Sequence, residues 1–151
     1  MKNFCKISQL HLDYFTKLIG HENVFFNPEQ VKEFGHDETE DLVFPPEVAL
    51  TPRNTEQVSQ IMKFCFVENL PVTPIGSQTG LSGGALSIYG GVGLSMKKMN
   101  SIINLDEKNL QITVEPGLIT EELQNAVIEK GLFYAPDPSS KGSCSIGGNL
   151  A

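Results

Sequence analysis

The chain has 151 residues, 40% hydrophobic and 19% charged, enough for one domain with a real core or for two small subdomains. A formal net charge of −7, with no basic cluster beyond the pair Lys97-Lys98, excludes general nucleic-acid binding, which relies on cations to neutralise phosphates. Cys5, Cys65 and Cys144 are widely spaced, form no C-x-x-C pair and have no histidine-rich context, which argues against a disulfide framework and a zinc site.

In chain order, residues 7–19 (ISQLHLDYFTKLI) predict an amphipathic helix with Ser8 as N-cap, Ile7, Phe15, Leu18 and Ile19 on its apolar side, and Gly20 at its end. Residues 21–45 read as polar and irregular, apart from a short helix from Pro28 capped by Asn27. The acidic stretch Asp37–Asp41 is expected to be a solvated surface segment. His11, His21 and His36 are expected to be surface or packing residues. Val48-Ala49-Leu50 predicts a strand, and Asn54 with Gln57 three residues on gives a capping signal for a helix over 55–68. Val58, Ile61, Met62, Cys65 and Phe66 fall on one face of that helix, so Cys65 is expected to be buried and unreactive. Residues 71–75 form the next expected strand.

That strand delivers the chain into Pro74–Leu86, PIGSQTGLSGGAL, where Gly76, Gly80, Gly83, Gly84 and, a little later, Gly90 stand among hydroxyl residues. Glycine tolerates positive φ and close backbone approach, and successive N–H groups in such a loop form a nest for an anion. Ser77, Thr79 and Ser82 add hydroxyl donors, and the loop holds no Lys or Arg. A pyrophosphate held by backbone dipoles fits this composition, and a flexible glycine-rich surface loop is the competing reading. The pattern is neither G-x-x-x-x-G-K-[ST], since no Lys follows Gly80, nor a G-x-G-x-x-G that opens a helix.

Strands are expected at 92–96, 101–105 and 110–115, the last two joined by the polar turn Asp106–Asn109. Ile112 and Val114 alternate with polar neighbours, as on a sheet with one buried face. Pro116-Gly117 breaks the last strand. Thr120 is expected to cap a helix over 121–130, with Gly131 after its end and a short strand at 132–134. The tail 135–151 reads as a loop dense in Pro, Ser and Gly. Its second glycine pair, Gly147-Gly148, suggests one larger ligand lying across both segments; sheet-end turns without a ligand are the alternative. No basic leader precedes an apolar core, and no apolar run approaches the length of a membrane span.

The ordered set P-x-G-x-x-T-G-L-S-G-G, V-E-P-G-L and P-D-P-S-S…C-S-I-G-G-N resembles the FAD-binding domain of the vanillyl-alcohol oxidase / p-cresol methylhydroxylase superfamily. Within it, the likeness is to the branch of glycolate oxidase and D-lactate dehydrogenase, over roughly residues 35–151. The resemblance implies an α+β fold, the N-terminal part of a domain of two subdomains with FAD between them. Residues 1–45 would be an N-terminal helical segment, 46–105 the first FAD-binding subdomain and 106–151 the start of the second.

By the same resemblance, Pro74, Gly76, Ser77, Gln78, Thr79, Gly80 and Leu81 line the pyrophosphate. Pro136, Asp137, Ser140, Cys144, Ser145, Gly148 and Asn149 lie along the ribityl chain and flavin ring, and Gly117 is a further candidate. Many relatives have Ala-Gly where this chain has Ser77-Gln78. Some attach the flavin through a loop His, which is missing here, so FAD is expected to be non-covalent.

The implied reaction is FAD-linked oxidation of a 2-hydroxy acid, glycolate or D-lactate, to the 2-keto acid by a parent protein. No residue stands out as the base, and Asp137, between two prolines, reads as structural. Family members continue beyond Asn149 into a cap domain, so the chain is expected to be an inactive fragment. An electron-acceptor protein or quinone and a homo-oligomer stay open as partners. The expected setting is cytoplasmic, or peripheral to the inner face of a membrane. Two other readings stay open: another branch of the superfamily (an ether-lipid synthase or sugar oxidase), or a non-catalytic domain that binds a nucleotide or partner.

Overall fold

A computed structural model describes residues 3–39 and 41–151. In chain order these form α1 (Gln9–Ile19), β1 (Val24–Phe25), α2 (Pro28–Lys32), β2 (Val48–Leu50), α3 (Thr55–Val67), β3 (Val72–Ile75), β4 (Val92–Ser95), β5 (Ile102–Asp106), β6 (Gln111–Val114), α4 (Thr120–Ile128) and α5 (Ile146–Leu150). The expected α+β class holds.

The first sheet has the order β1-β2-β4-β3, with β4 parallel to β2 and β3 and β1 antiparallel to β2. β4 (VGLS) is buried along its whole length because strands flank it on both sides. Pro74 sits in the edge strand β3, where a missing N–H costs the ladder least. Phe15 and Ile19 of α1 and Ile61 and Cys65 of α3 pack on this sheet with Leu50, Val92 and Leu94. The N-terminal segment thus shares the core of 46–105. It is pinned further by the Lys6–Glu47 ion pair at 2.7 Å and by the Ile7 N–H donating to Glu47 at 2.8 Å.

The local signals act as read at several points. Asn54 accepts from Gln57 N–H at 2.9 Å, and Asn27 accepts from Glu29 N–H at 3.1 Å. At α1, the Ser8 N–H donates to His11 Nδ1 at 3.0 Å, and the His11 ring packs edge-on against Phe64, so His11 is a packing residue. Burial pushes the Cys65 thiol up to about 12, which keeps it inert.

Other expectations need correction. α3 meets the core through Ile61 and Cys65, with Val58 and Phe64 packed half-buried beside them, whereas Phe66, expected on the same face, is 88% exposed, with Met62 also exposed. Thr120 is the first helical residue rather than the cap. Its hydroxyl is buried against Cys144, 3.2 Å from Sγ, and Ile119 takes the N-cap position. Residues 132–134 form no strand; they pass beneath α4, where Leu132 and Tyr134 pack on the second core. The tail is not all loop, since α5 starts after Ser145.

β5 and β6 make an antiparallel hairpin whose Leu105, Ile112 and Val114 cover Leu118, Leu123, Val127 and Ile146. The expected boundary at 105/106 runs through this hairpin. The two cores are joined at Gly117, whose N–H donates to Met99 O at 2.7 Å. A Cβ there would lie 2.2 Å from Met96 O and 2.8 Å from Met99 O, closer than any real side chain comes. Gly91 is equally constrained, with φ at +67° and a Cβ position 2.4 Å from Pro71 O.

Gly117→Ala and Gly91→Ala should each lower the unfolding free energy by about 2 kcal/mol or more, measured by urea denaturation. Gly131→Ala is the control: its Cβ meets nothing within 4 Å, and only the positive φ is strained, for about 1 kcal/mol. A wild-type midpoint in Gly117→Ala would contradict the close approach.

Candidate functional site: a glycine-lined cavity between the two cores

The parallel strands β3 and β4 end side by side, with Met96 N–H donating to Ile75 O at 3.0 Å. The carboxyl ends of parallel strands leave a crevice that the following loops close. Here the loop after β3 forms one wall, and Met96 lies beneath it.

The opposite wall is the tail, which residues 116–121 hold in place. Cys144 O accepts from Thr120 N–H at 3.0 Å, Leu118 O from Ile146 N–H at 2.8 Å, and Pro116 O from Gly147 N–H at 2.8 Å. An isolated antiparallel bridge pairs Ile119 with Ser145. The two walls meet at Gly76, where a Cβ would lie 2.7 Å from Ser145 Oγ. The half-open cleft between them is about 650 Å³, a size that takes a large organic ligand.

Of the residues expected at the cofactor, Pro74, Gly76, Ser77, Gln78, Thr79 and Gly80 line this cavity from the first segment. Ser140, Cys144, Ser145, Gly148 and Asn149 line it from the second. Leu81 does not line it and is 76% exposed. Pro136 and Asp137 also stand outside the lining. The Pro136 carbonyl accepts from Gln124 Nε2 at 2.9 Å, and Asp137 pairs with Lys141 at 3.0 Å. That hydrogen bond, with the charge of Lys141, holds the Asp137 carboxyl below its usual range. Gly117 sits behind the wall, where it acts through packing.

Asp37, Met96, Pro116 and Gly147 also line the cavity; Pro116 and Gly147 fall inside quoted motifs, whereas no motif in the sequence marks Asp37 or Met96. Asp37 is the informative one. The acidic stretch is expected to be solvated, yet Asp37 is 8% exposed. Its Oδ1 accepts from Thr39 N–H at 2.9 Å, an Asx-type turn that the spacing Asp37-x-Thr39 permits. Burial pushes its carboxyl up, but hydrogen bonds from the Thr39 N–H and hydroxyl and from the Gly83 N–H outweigh it, and the net value falls below the usual range.

The backbone of the loop is polar and unsatisfied. The N–H groups of Ser77 through Ser82 donate to no protein acceptor among the described residues, and none of these six residues is buried, so the amides stand open to solvent or a ligand. Positive φ occurs at Gln78 and Gly83, whereas Gly76, Gly80 and Gly84 do not need it. At Gly80 and Gly84 a Cβ would meet nothing within 4 Å, so glycine there leaves open space in the cavity. On the other wall, the Asn149 Nδ2 is a buried donor without a partner. The site offers donors to an extended anionic and polar ligand.

Residues 46–151 match the family described as FAD binding domain. The chain belongs to that family. It is 44% identical to glycolate oxidase subunit GlcD of Bacillus subtilis over 117 residues, 78% of this chain and 25% of the relative. It is 38% identical to D-lactate dehydrogenase of Anaerostipes hadrus over 138 residues, 89% of this chain and 28% of the relative. A solved structure of p-cresol methylhydroxylase with substrate bound superposes with a TM-score of 0.70 at 27% identity, over 83% of this chain and 26% of that one. The resemblance read from the motifs is borne out, and the chain spans about a quarter of the length of these relatives.

The open space at Gly80 and Gly84 and the unpartnered donors fit FAD, whose pyrophosphate is an acceptor group and whose length requires both walls. Asp37→Asn should destabilise the chain at pH 7 by about 1–3 kcal/mol, as expected when buried donors lose a charged acceptor. The folded carboxyl lies below its unfolded value. The stability it adds is therefore full above roughly pH 4 and lost as pH falls through the depressed folded value. Acid titration of unfolding should show a shallower loss in the variant than in wild type.

Proposed function

We propose that this chain is the flavin-holding part of an FAD-linked oxidoreductase that oxidises a 2-hydroxy acid, of the glycolate or D-lactate kind, to the 2-keto acid. The observation that carries the reading is the meeting of two glycine segments around one cavity rich in unpaired donors, in a chain of the FAD-binding family. The names of the relatives, a glycolate oxidase subunit and a D-lactate dehydrogenase, support the substrate class.

In this reading the N–H groups of residues 77–82 take the pyrophosphate oxygens. Dipoles fixed by the fold neutralise the charge without a Lys or Arg. Ser140, Ser145 and Asn149 meet the polar chain between phosphate and ring, and the Asn149 Nδ2 gains the acceptor it lacks in the chain. At Gly76 the two walls approach too closely for a side chain, which keeps the ligand's path narrow there. FAD supplies a two-electron acceptor for the substrate's carbinol C–H bond.

Asp37 is the one carboxylate in the lining among the described residues. The Thr39 N–H holds its Oδ1 and its carboxyl lies below the usual range, so it holds the loop rather than acting as base. The proton acceptor for the hydroxyl is assigned to other parts of the parent protein. The absence of His between Pro74 and Leu86 supports non-covalent FAD. Three free thiols support a reducing, cytoplasmic setting, in which peripheral membrane attachment and transfer of electrons to a protein or quinone are compatible. No described helix is long and apolar enough to cross a membrane.

Titrating FAD with the chain should quench flavin fluorescence saturably. Gly80→Val and Gly148→Val should each weaken binding at least about tenfold, since their methyls enter ligand space while neither backbone φ is strained. Wild-type affinity in both variants would remove the site assignment. An absence of binding by the wild type would favour a domain without redox function.

A further inference from the structure

Gln78 holds the left-handed conformation, with φ at 59°, inside a loop whose Gly76, Gly80 and Gly84 do not. Non-glycine residues rarely take this conformation, and they keep it only when surrounding contacts impose it. Here the contacts come from the segment after α2. Gln78 Nε2 donates to Glu33 O at 3.0 Å and to His36 O. Two further bonds grip the same loop from the same segment: Glu38 N–H donates to Gly80 O at 2.9 Å, and Gly83 N–H donates to Thr39 Oγ at 2.9 Å. Asp37 in turn fixes Thr39.

Residues 33–39 therefore grasp the loop at 78, 80 and 83, and the N–H groups of 78–82, which have no protein acceptor, lie within that span. A flexible glycine loop left to itself would fold some of those donors onto its own carbonyls, and ordering it on binding would cost affinity.

We propose that Gln78 is a positioning residue: its side-chain amide, tied to the Glu33 and His36 carbonyls, holds the glycine loop in its binding-ready shape before the cofactor arrives. The inference rests on the flavin reading for its ligand, but the clamp itself is a property of the chain alone. Since the Nε2 is already engaged by two carbonyls, Gln78 acts through the loop rather than by donating its amide to the ligand. Binding then draws on a large competent fraction, and losing the clamp lowers the apparent affinity by shrinking that fraction.

Gln78→Ala removes the tether and leaves the strain, whereas Gln78→Gly removes the tether and relieves the strain. With FAD as probe, the Ala variant should bind about tenfold more weakly, as expected for losing two amide–carbonyl hydrogen bonds. The loss should lie in slower association with unchanged dissociation, and the Gly variant should recover part of it. Without FAD, hydrogen exchange of the Glu38 and Gly83 amides, which donate across the clamp, should accelerate in the Ala variant. Equal losses in both variants with faster dissociation would make Gln78 a direct ligand contact and overturn the proposal. Wild-type affinity or wild-type exchange in Gln78→Ala would overturn it as well. A wild-type chain that fails to bind FAD defeats the flavin reading, and the exchange measurement still decides the clamp.

Discussion

The cavity depends on one close approach of backbones. Gly117 lies so near the Met96 and Met99 carbonyls that a single extra carbon has no room. This contact fixes residues 116–121 against the turn that leaves β4, and those residues carry the tail by hydrogen bonds from Thr120, Ile146 and Gly147. Two loops about sixty residues apart in sequence thereby become the two walls of one site. Neither core alone could place them, because Leu118 and Ile146 belong to the second core and Ile75 and Leu94 to the first sheet.

The electrostatics of the site run counter to the protein's composition. In a chain with a net charge of −7, the cavity's only lining carboxylate, among the described residues, is turned inward onto its own backbone, and the loop N–H groups are left open. A point cation is a strong but mobile way to hold a phosphate. Oriented N–H groups give fixed dipoles at shorter range, provided that the backbone is held still. Asp37, Thr39 and Gln78 supply that hold, so their polar groups serve geometry while the loop N–H groups remain available. The division of labour suits a ligand that is long and only locally charged.

The second core is slight beside the first. Its sheet has two strands, and Ile103, Leu110 and Phe133 stand exposed around it, whereas the first sheet is covered by α1 and α3 on one face and by Phe34 on the other. The cavity sits between a well-buttressed wall and a lightly buttressed one. Glycines at the junction make the fit narrow, and hydrogen bonds together with the packing of Ile146 in the second core hold the second wall in register.

The sequence by itself determined most of the local structure. The caps at Asn27 and Asn54, the period of α3 and the alternation of β6 are short-range signals, and they act within a few residues of where they are read. It also determined that the Pro74–Leu86 and Pro136–Asn149 segments carry unusual backbone, because glycine and proline advertise it. Only the tertiary structure decided the rest. Phe66 is exposed because the face of α3 that meets the core runs through Val58, Ile61, Phe64 and Cys65, turned away from Met62 and Phe66. Asp37 is buried because a glycine loop forty residues later folds over it, and nothing in an acidic run announces that partner. Gly117 serves packing rather than lining because its neighbours come from Met96 and Met99, a contact set by the sheet's crossover connections. Short-range hydrogen bonds and periodicity are written in adjacent residues, whereas burial and shared walls arise only when distant segments compete for the same space.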